Sequence, residues 1–225
     1  MLSAIILAAG QGRRLKAVEP KPLVKIGKLP AISYSLRSLN SHPDIDEIIL
    51  VISASNQKAI TQVVRRYSFK KIKAFVLGGK RRQDSVYNGL KVVSTNTNWV
   101  LIHDSARPFI DRQSITEVIR AAKKTGAAIL GIPVKTTIKS IKSGGMVERT
   151  LDRSNLWEIQ TPQVFKKELI LRAYKEYSKM NVTDDASLVE KLGKKVKLVP
   201  GSYENIKITT PEDLLFARAI AGRNR

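Results

Sequence analysis

The stretch Ala4-Ile5-Ile6-Leu7-Ala8-Ala9-Gly10-Gln11-Gly12-Arg13-Arg14-Leu15 decides the fold class. Its first four residues are a continuous apolar run, short enough for a strand and lacking a wet face. A strand buried on both sides belongs to a mostly parallel sheet with helices over both faces. Two glycines spaced by one residue follow directly. Without Cβ atoms the chain can turn tightly there and bring backbone N–H groups against a bulky anion, and Arg13 and Arg14 add positive charge. Further on, Lys21 stands braced between Pro20 and Pro22.

Other glycine-loop readings fail on particular residues. A dinucleotide fingerprint needs a third glycine three residues after Gly12, where Leu15 stands, and an acidic residue ending the second strand, where Ile52-Ser53 stands. A P-loop needs Gly-Lys-Ser/Thr after four spacers, and the chain has no such string. Two readings remain: a plain strand-to-helix turn, or a nucleoside triphosphate site of the nucleotidyl-transfer kind.

The rest of the chain repeats the strand-and-helix alternation. Apolar strands are expected at 48–52, 74–77, 100–103 and 128–132. Between them, Ile60, Val63, Val64 and Tyr67, then Ile115, Val118, Ile119 and Ala122, recur at helical spacing. In such sheets ligands bind beyond the C-terminal strand ends. The glycine loop and His103-Asp104 both fall on that rim. Residues 134–157 break the pattern: Thr136 to Ile141 and Met146 to Leu151 flank Ser143-Gly144-Gly145, which predicts a hairpin arm inserted in a single domain of residues 1–225. An arm with few core residues of its own needs a surface to pack on, most simply a second subunit. Ile170, Ala173, Tyr174 and Tyr177 predict a later helix, Thr183 caps another running to Gly193, and Thr210-Pro211-Glu212-Asp213 opens the last.

Composition sets outer bounds. The 225 residues are 43% hydrophobic, enough for a proper core, and contain no cysteine, which excludes a disulfide framework and a thiol nucleophile. With only His42 and His103, a histidine metal cluster is excluded too. No apolar run approaches the ~20 residues of a membrane span, and the first strand starts too near Met1 for a signal peptide. A cytoplasmic location is the expectation. The formal charge of +21 favours polyanionic partners. No helix-turn-helix, zinc finger or aromatic-studded basic strand accompanies it, so nucleic acid is expected only as a nonspecific partner. A basic nucleic-acid-binding protein on an inherited fold is the alternative from another class.

Seven motifs now stand in order: Ala8-Ala9-Gly10-x-Gly12-x-Arg14, Pro20-Lys21, Gly78-Gly79…Asp84-Ser85-Val86, His103-Asp104-Ser105-Ala106-Arg107-Pro108, Thr161-Pro162-Gln163, Thr183-Asp184-Asp185-Ala186-Ser187 and Asn205-Ile206-Lys207-Ile208-Thr209. Together they resemble the 2-C-methyl-D-erythritol 4-phosphate cytidylyltransferases of the non-mevalonate isoprenoid pathway, over essentially the whole chain. The chain ends after its last helix, so the form without a fused cyclodiphosphate synthase domain is expected.

The resemblance implies a Rossmann-like nucleotidyltransferase, homodimeric through the arm, that joins CTP to a sugar-alcohol phosphate with Mg²⁺ as cofactor. It implies Arg14, Lys21 and Lys207 as catalytic cations around the triphosphate. Ala8, Ala9, Gly10, Gly12, Arg13, Gly79, Lys80, Ser85, Asp104 and Ser105 are implied as CTP contacts. Asp104, Arg107, Thr137, Arg153, Thr161, Thr183 and Lys207 are implied at the acceptor, with Thr137 and Arg153 reaching a neighbouring subunit. Asp104 is the implied metal ligand, and His103 is expected to be structural. Ribitol 5-phosphate is the alternative acceptor. Two residues depart from the pattern: Lys80 stands where many relatives have an acid, and Pro22 stands where glutamine is common.

Overall fold

The structure, a computed structural model, describes residues 1–10, 12–15 and 19–223, and the Arg13 side chain lies outside the described residues. The first strand is β1 (Leu2–Leu7). A small antiparallel pair, β2 (Lys25–Ile26) and β3 (Leu29–Pro30), leads into α1 (Ala31–Ser41). Then β4 (Glu47–Ile52), α2 (Gln57–Arg66), β5 (Ile72–Leu77), α3 (Arg82–Leu90), β6 (Trp99–Asp104), α4 (Arg112–Thr125) and β7 (Ala127–Pro133) alternate. A ribbon of β8 (Ile138–Ile141) and β9 (Val147–Leu151) interrupts them before β10 (Trp157–Lys166). The chain closes with α5 (Lys167–Glu176), α6 (Ala186–Lys191), β11 (Lys197–Pro200) and α7 (Pro211–Arg223).

The main sheet has the order β11-β7-β10-β6-β1-β4-β5, parallel throughout except for β10, which runs antiparallel between β6 and β7. The mostly parallel expectation holds. The sequence reading did not foresee β10 as a strand, because its outer half is exposed on the way out of the ribbon and its apolar run is broken by Gln160-Thr161-Pro162-Gln163. Short β11 and the helices α1 and α3 were also missed, since each carries hydroxyl, amide or charged residues in place of a clean apolar stripe.

Alternation along β1 sorts the two cores. Ala4 and Ile6 face a cluster with Ile32 and Leu36 of α1, Ile60 of α2 and Ile115 of α4. Ile5 faces the other side, with Val86 of α3, Ile170 of α5 and Leu188 of α6. With both faces covered, every residue of β4 is buried. Truncating such a residue, Ile5 for example, costs about 2–5 kcal/mol in lost burial and cavity. A third cluster packs Ala217 of α7 against Ile26 of β2 and Ile208, which holds the segment before α7 at the sheet's C-terminal rim.

The expected caps are partly corrected. Thr183 does not cap α6: the helix begins three residues later, and Asp184 Oδ1 accepts the Ser187 N–H at 3.2 Å. A carboxylate placed three residues before that N–H is the stronger acceptor. At α7, Asp213 Oδ2 takes the N–H groups of Thr209 and Thr210 at 2.7 and 2.8 Å. The ribbon strands are shorter than expected, starting at Ile138 and Val147. Their turn is exposed, with Ile141, Met146 and Val147 facing outward. No helix among the described residues is long and apolar enough to cross a membrane.

Candidate active site

The glycine loop leaves β1 under firm backbone control. The Ala8 N–H donates to Val51 O at 2.7 Å, and Asn56 Nδ2 donates to Ala8 O at 2.8 Å. Gly12 has φ of +64°, and a Cβ added there would lie 2.8 Å from Lys21 Cβ. Only glycine lets the loop and the Lys21 turn close on each other in this way. That turn is a single 3₁₀ segment, Lys21–Leu23, closed by the Leu23 N–H on Pro20 O at 2.7 Å. Burial holds the Lys21 ammonium down at about 8, and the neighbouring charges of Lys207 and Arg14 push the same way.

The second wall starts at the end of β6. Asp104 is 7% exposed and its carboxylate is divided between two cations. Lys207 Nζ lies 2.6 Å from Oδ2 and Arg82 Nε lies 3.2 Å from Oδ1. Burial pushes this carboxyl upward, but Arg82 and Lys207 outweigh it and hold it well below the usual range. The neighbouring His103 is fully buried, and burial lowers it to about 4. Its ring lies 3.1 Å from Thr161 Oγ1 and 3.0 Å from Arg107 O. Because Arg107 O can only accept, the neutral ring carries its proton on Nε2, and Nδ1 accepts the Thr161 hydroxyl, whose oxygen takes the Asp104 N–H at 3.0 Å. His103 is thus a neutral brace between three parts of the rim, in line with the structural role expected for it.

Two cavities open on this rim. The first, about 560 Å³, is lined by Ala9, Gly10, Gly12, Gly79, Lys80 and Ser85, and also by Lys21, Asp104 and Ser105. The second, about 390 Å³, is lined by Arg107, Thr161, Gln163, Thr183 and Asp184 among others. They meet at Arg82, Asp104 and Lys207, which belong to both. Several of the hydroxyls expected to meet ligands are already committed. Ser85 Oγ accepts the Gly79 N–H at 3.1 Å, and Ser105 Oγ donates to Leu7 O at 2.7 Å. Arg107 donates to Asn205 O and Ile159 O, and its buried Nε has no partner among the described residues.

Other expected residues lie elsewhere in this single chain. Ala8 is buried and lines neither cavity, and its N–H and C=O are taken by Val51 O and Asn56 Nδ2. Arg14 is exposed outside both cavities, in the short turn Arg13–Leu15. The Arg13 side chain and Gln11 lie outside the described residues. Thr137 and Arg153 are exposed at the ribbon's base, where Arg153 donates to Lys135 O, and neither lines a cavity. Arg82 is the residue the sequence reading passed over. It sits inside the run Lys80-Arg81-Arg82, and only the start of α3 selects it from its neighbours. A further 2.8 Å ion pair joins its Nη1 to Asp185.

No group of three or more histidine, cysteine, aspartate or glutamate side chains that could hold a metal ion occurs among the described residues. A single carboxylate beside an anion site suits an ion held mainly by phosphate oxygens and water.

A doubly wound sheet, a glycine loop on its first strand, and paired cation-lined cavities at its C-terminal rim define the nucleotidyltransferase class. Comparison with known proteins narrows this. The family model described as IspD, 2-C-methyl-D-erythritol 4-phosphate cytidylyltransferase, matches residues 2–223. Curated relatives of that name include one from Dehalococcoides mccartyi, 44% identical over 100% of this chain and 97% of its own length. Another, from Geobacillus thermodenitrificans, is 47% identical over 96% and 95%. Among solved structures, 4-diphosphocytidyl-2C-methyl-D-erythritol synthase from Anaerococcus prevotii superposes with a TM-score of 0.87 at 37% identity, covering 99% of this chain and 98% of that one. The chain belongs to the 2-C-methyl-D-erythritol 4-phosphate cytidylyltransferase family.

Proposed function

We propose that this protein transfers a cytidylyl group from CTP to 2-C-methyl-D-erythritol 4-phosphate, giving 4-diphosphocytidyl-2-C-methyl-D-erythritol and pyrophosphate. Family membership supports the reaction. The observation that carries the site is the junction of two cavities at Arg82, Asp104 and Lys207. A two-substrate transfer needs two pockets sharing one wall, where the reacting phosphates can meet.

In this reading an acceptor phosphate oxygen attacks the α-phosphorus of CTP. A new P–O bond forms as the bond to the bridging α,β-oxygen breaks, and that oxygen leaves with its electron pair on pyrophosphate. Charge builds on the α-phosphoryl oxygens, so catalysis is positioning and electrostatic stabilisation. Lys21 and Lys207 supply charge there, and in this reading Arg14 is the third cation around the triphosphate. Gly79 and Ser85 read the cytosine through backbone and hydroxyl groups, and Gly10, Gly12, Arg13 and Ser105 meet the phosphates and ribose. Lys80 adds a cation at the mouth where relatives often place an acid. Arg107, Thr161 and Thr183, which line the second cavity, face the acceptor. Asp104 is the residue that would hold Mg²⁺ arriving with the triphosphate, and the ion would supply charge neutralisation between the phosphates.

We read the chain as one domain, 1–225, with an arm at 134–157 that pairs two subunits and delivers Thr137 and Arg153 to the neighbour's acceptor. Exposed Ile141, Met146 and Val147 on that arm support an apolar contact. The same reading places the enzyme in the cytoplasm, in keeping with a chain without cysteine.

The test is pyrophosphate release with CTP and Mg²⁺, comparing methylerythritol 4-phosphate with ribitol 5-phosphate. A clear preference for the first is expected. Preference for the second would move the protein to activation of another polyol phosphate, and silence with both, in a sample that binds CTP, would overturn the reading.

A further inference from the structure

Asp185 stands behind the two cavities and lines neither. It is fully buried at the start of α6. Its Oδ1 accepts the Tyr174 hydroxyl, and its N–H donates to Gln163 Oε1 at 3.2 Å. Its Oδ2 lies 2.8 Å from Arg82 Nη1 in an ion pair and accepts no hydrogen bond among the described residues. A carboxylate taken out of water is costly unless it is paired. Among the described residues its cationic contact is Arg82, which is shared by both cavities.

The geometry of Arg82 gives that contact a meaning. A guanidinium is a planar fork, and against a lone carboxylate it prefers two parallel N–H···O bonds. Here the guanidinium is instead shared between two acids. Nε goes to Asp104 Oδ1 at 3.2 Å, while Nη1 goes to Asp185. Asp104 Oδ2 is thereby left for Lys207 Nζ at 2.6 Å. Were Nη1 released, the guanidinium would be free to turn until Nη2, whose N–H runs parallel to that of Nε, joins it on Asp104 and competes with Lys207 for Oδ2.

We propose that Asp185 is a positioning residue for the transfer reaction: it holds one arm of Arg82 away, and so keeps the Asp104 carboxylate divided between Arg82 and Lys207. Asp185 touches neither cavity and acts through Arg82. The inference rests on the transfer reading of the same site.

Asp185→Asn tests it, with Tyr174→Phe as the comparison. Tyr174→Phe removes the other side-chain partner of Asp185 and leaves Arg82 untouched, so it is expected to lower the melting temperature with kcat within about twofold of wild type. Asp185→Asn is expected to lower kcat about tenfold to a hundredfold, the cost of a misplaced group near the reacting atoms. In an Arg82→Lys background, where no fork exists, the same change should cost less than about twofold. A crystal structure of Asp185→Asn should show both Nε and an Nη of Arg82 on Asp104, and Lys207 drawn away. If Asp185→Asn fails to fold, Asp185→Ser, which retains an acceptor for Tyr174, takes its place. Equal kcat losses in Asp185→Asn and Tyr174→Phe would make Asp185 merely structural and overturn the proposal. So would an undiminished cost in the Arg82→Lys background, or an unmoved Arg82 in the crystal. Should wild type turn over neither acceptor, the transfer reading fails, and the crystal structure still judges the Arg82 geometry.

Discussion

Two buried carboxylates sit at opposite ends of neighbouring parts of one sheet. Glu47 begins β4 on the N-terminal rim, and Asp104 ends β6 on the C-terminal rim. Glu47 is closed in by neutral groups. Ser3 Oγ and the Ser94 N–H and Oγ donate to it at 2.6–2.8 Å, and Ser3 also bonds Thr97. Lys73 adds a more distant 3.2 Å contact from a half-exposed side chain. Asp104 instead faces two cations that border open cavities. Both acids are held below their usual range, Glu47 to about 2. A low pKa therefore does not by itself mark a site. What separates them is the kind of partner and what lies beyond it: satisfied hydroxyls at one end, surplus positive charge facing empty space at the other.

The largest expected effect breaks the C-terminal cluster. Lys207→Ala should lower kcat/KM roughly 100- to 1000-fold, the range for losing one preorganised group at a developing charge. Its melting temperature should stay near wild type, because the lysine is 41% exposed. Normal turnover would remove it from the mechanism.

In the proposed dimer the arm carries the comparison beyond one chain. Arg153→Ala should raise the acceptor KM about tenfold or more while leaving the KM for CTP alone. Mixing Arg153→Ala with Lys207→Ala protein, followed by subunit exchange, should restore activity, since one mixed site per dimer would be intact. Failure to complement, with exchange demonstrated, would place Arg153 outside the neighbouring acceptor site.

A smaller effect is a pH limb. Free Lys21 titrates at about 8, lowered by burial and then by Lys207. In the proposed reaction its charged form serves the triphosphate, so kcat/KM for CTP should fall about tenfold per pH unit above that value. Lys21→Arg should move the limb upward, whatever it does to the rate. A limb unchanged in that variant would belong to another group.

The smallest kinetic effect is expected at the N-terminal rim. Glu47→Gln should leave kcat within about twofold and cost roughly 1–3 kcal/mol of stability. The sign follows from its folded value of about 2 against an ordinary 4.5. Its contribution is present above pH 4.5 and is lost as pH falls toward 2, because the unfolded chain binds the proton more readily. Urea melts at pH 7 and pH 3 should differ less for the variant than for wild type. An equal difference would assign the acid sensitivity elsewhere.

The site was unevenly legible. Gly12, Lys21, Asp104 and Lys207 could be read because each is tied to a short motif, or to the end of an apolar run. Arg82 could not, since it is one of three adjacent cations, and its role depends on which of them the first turn of α3 aims inward. Asp185 was quoted as part of a motif without a task, because burial is what makes it matter. Thr183 was misread as a cap for want of the local turn that gives that work to Asp184.

Strand alternation, the glycine loop and the rim that binds ligand were determined by the sequence alone, since apolar period and the lack of a Cβ act over a few residues. Tertiary structure alone decided the insertion of antiparallel β10, the sharing of Arg82, Asp104 and Lys207 between two cavities, and the pairing of Arg82 with both Asp104 and Asp185. Those depend on side chains as far apart as Asp104 and Lys207, 103 positions along the chain, meeting within hydrogen-bond distance. Only the packed sheet, by excluding water and fixing each partner's direction, brings them there.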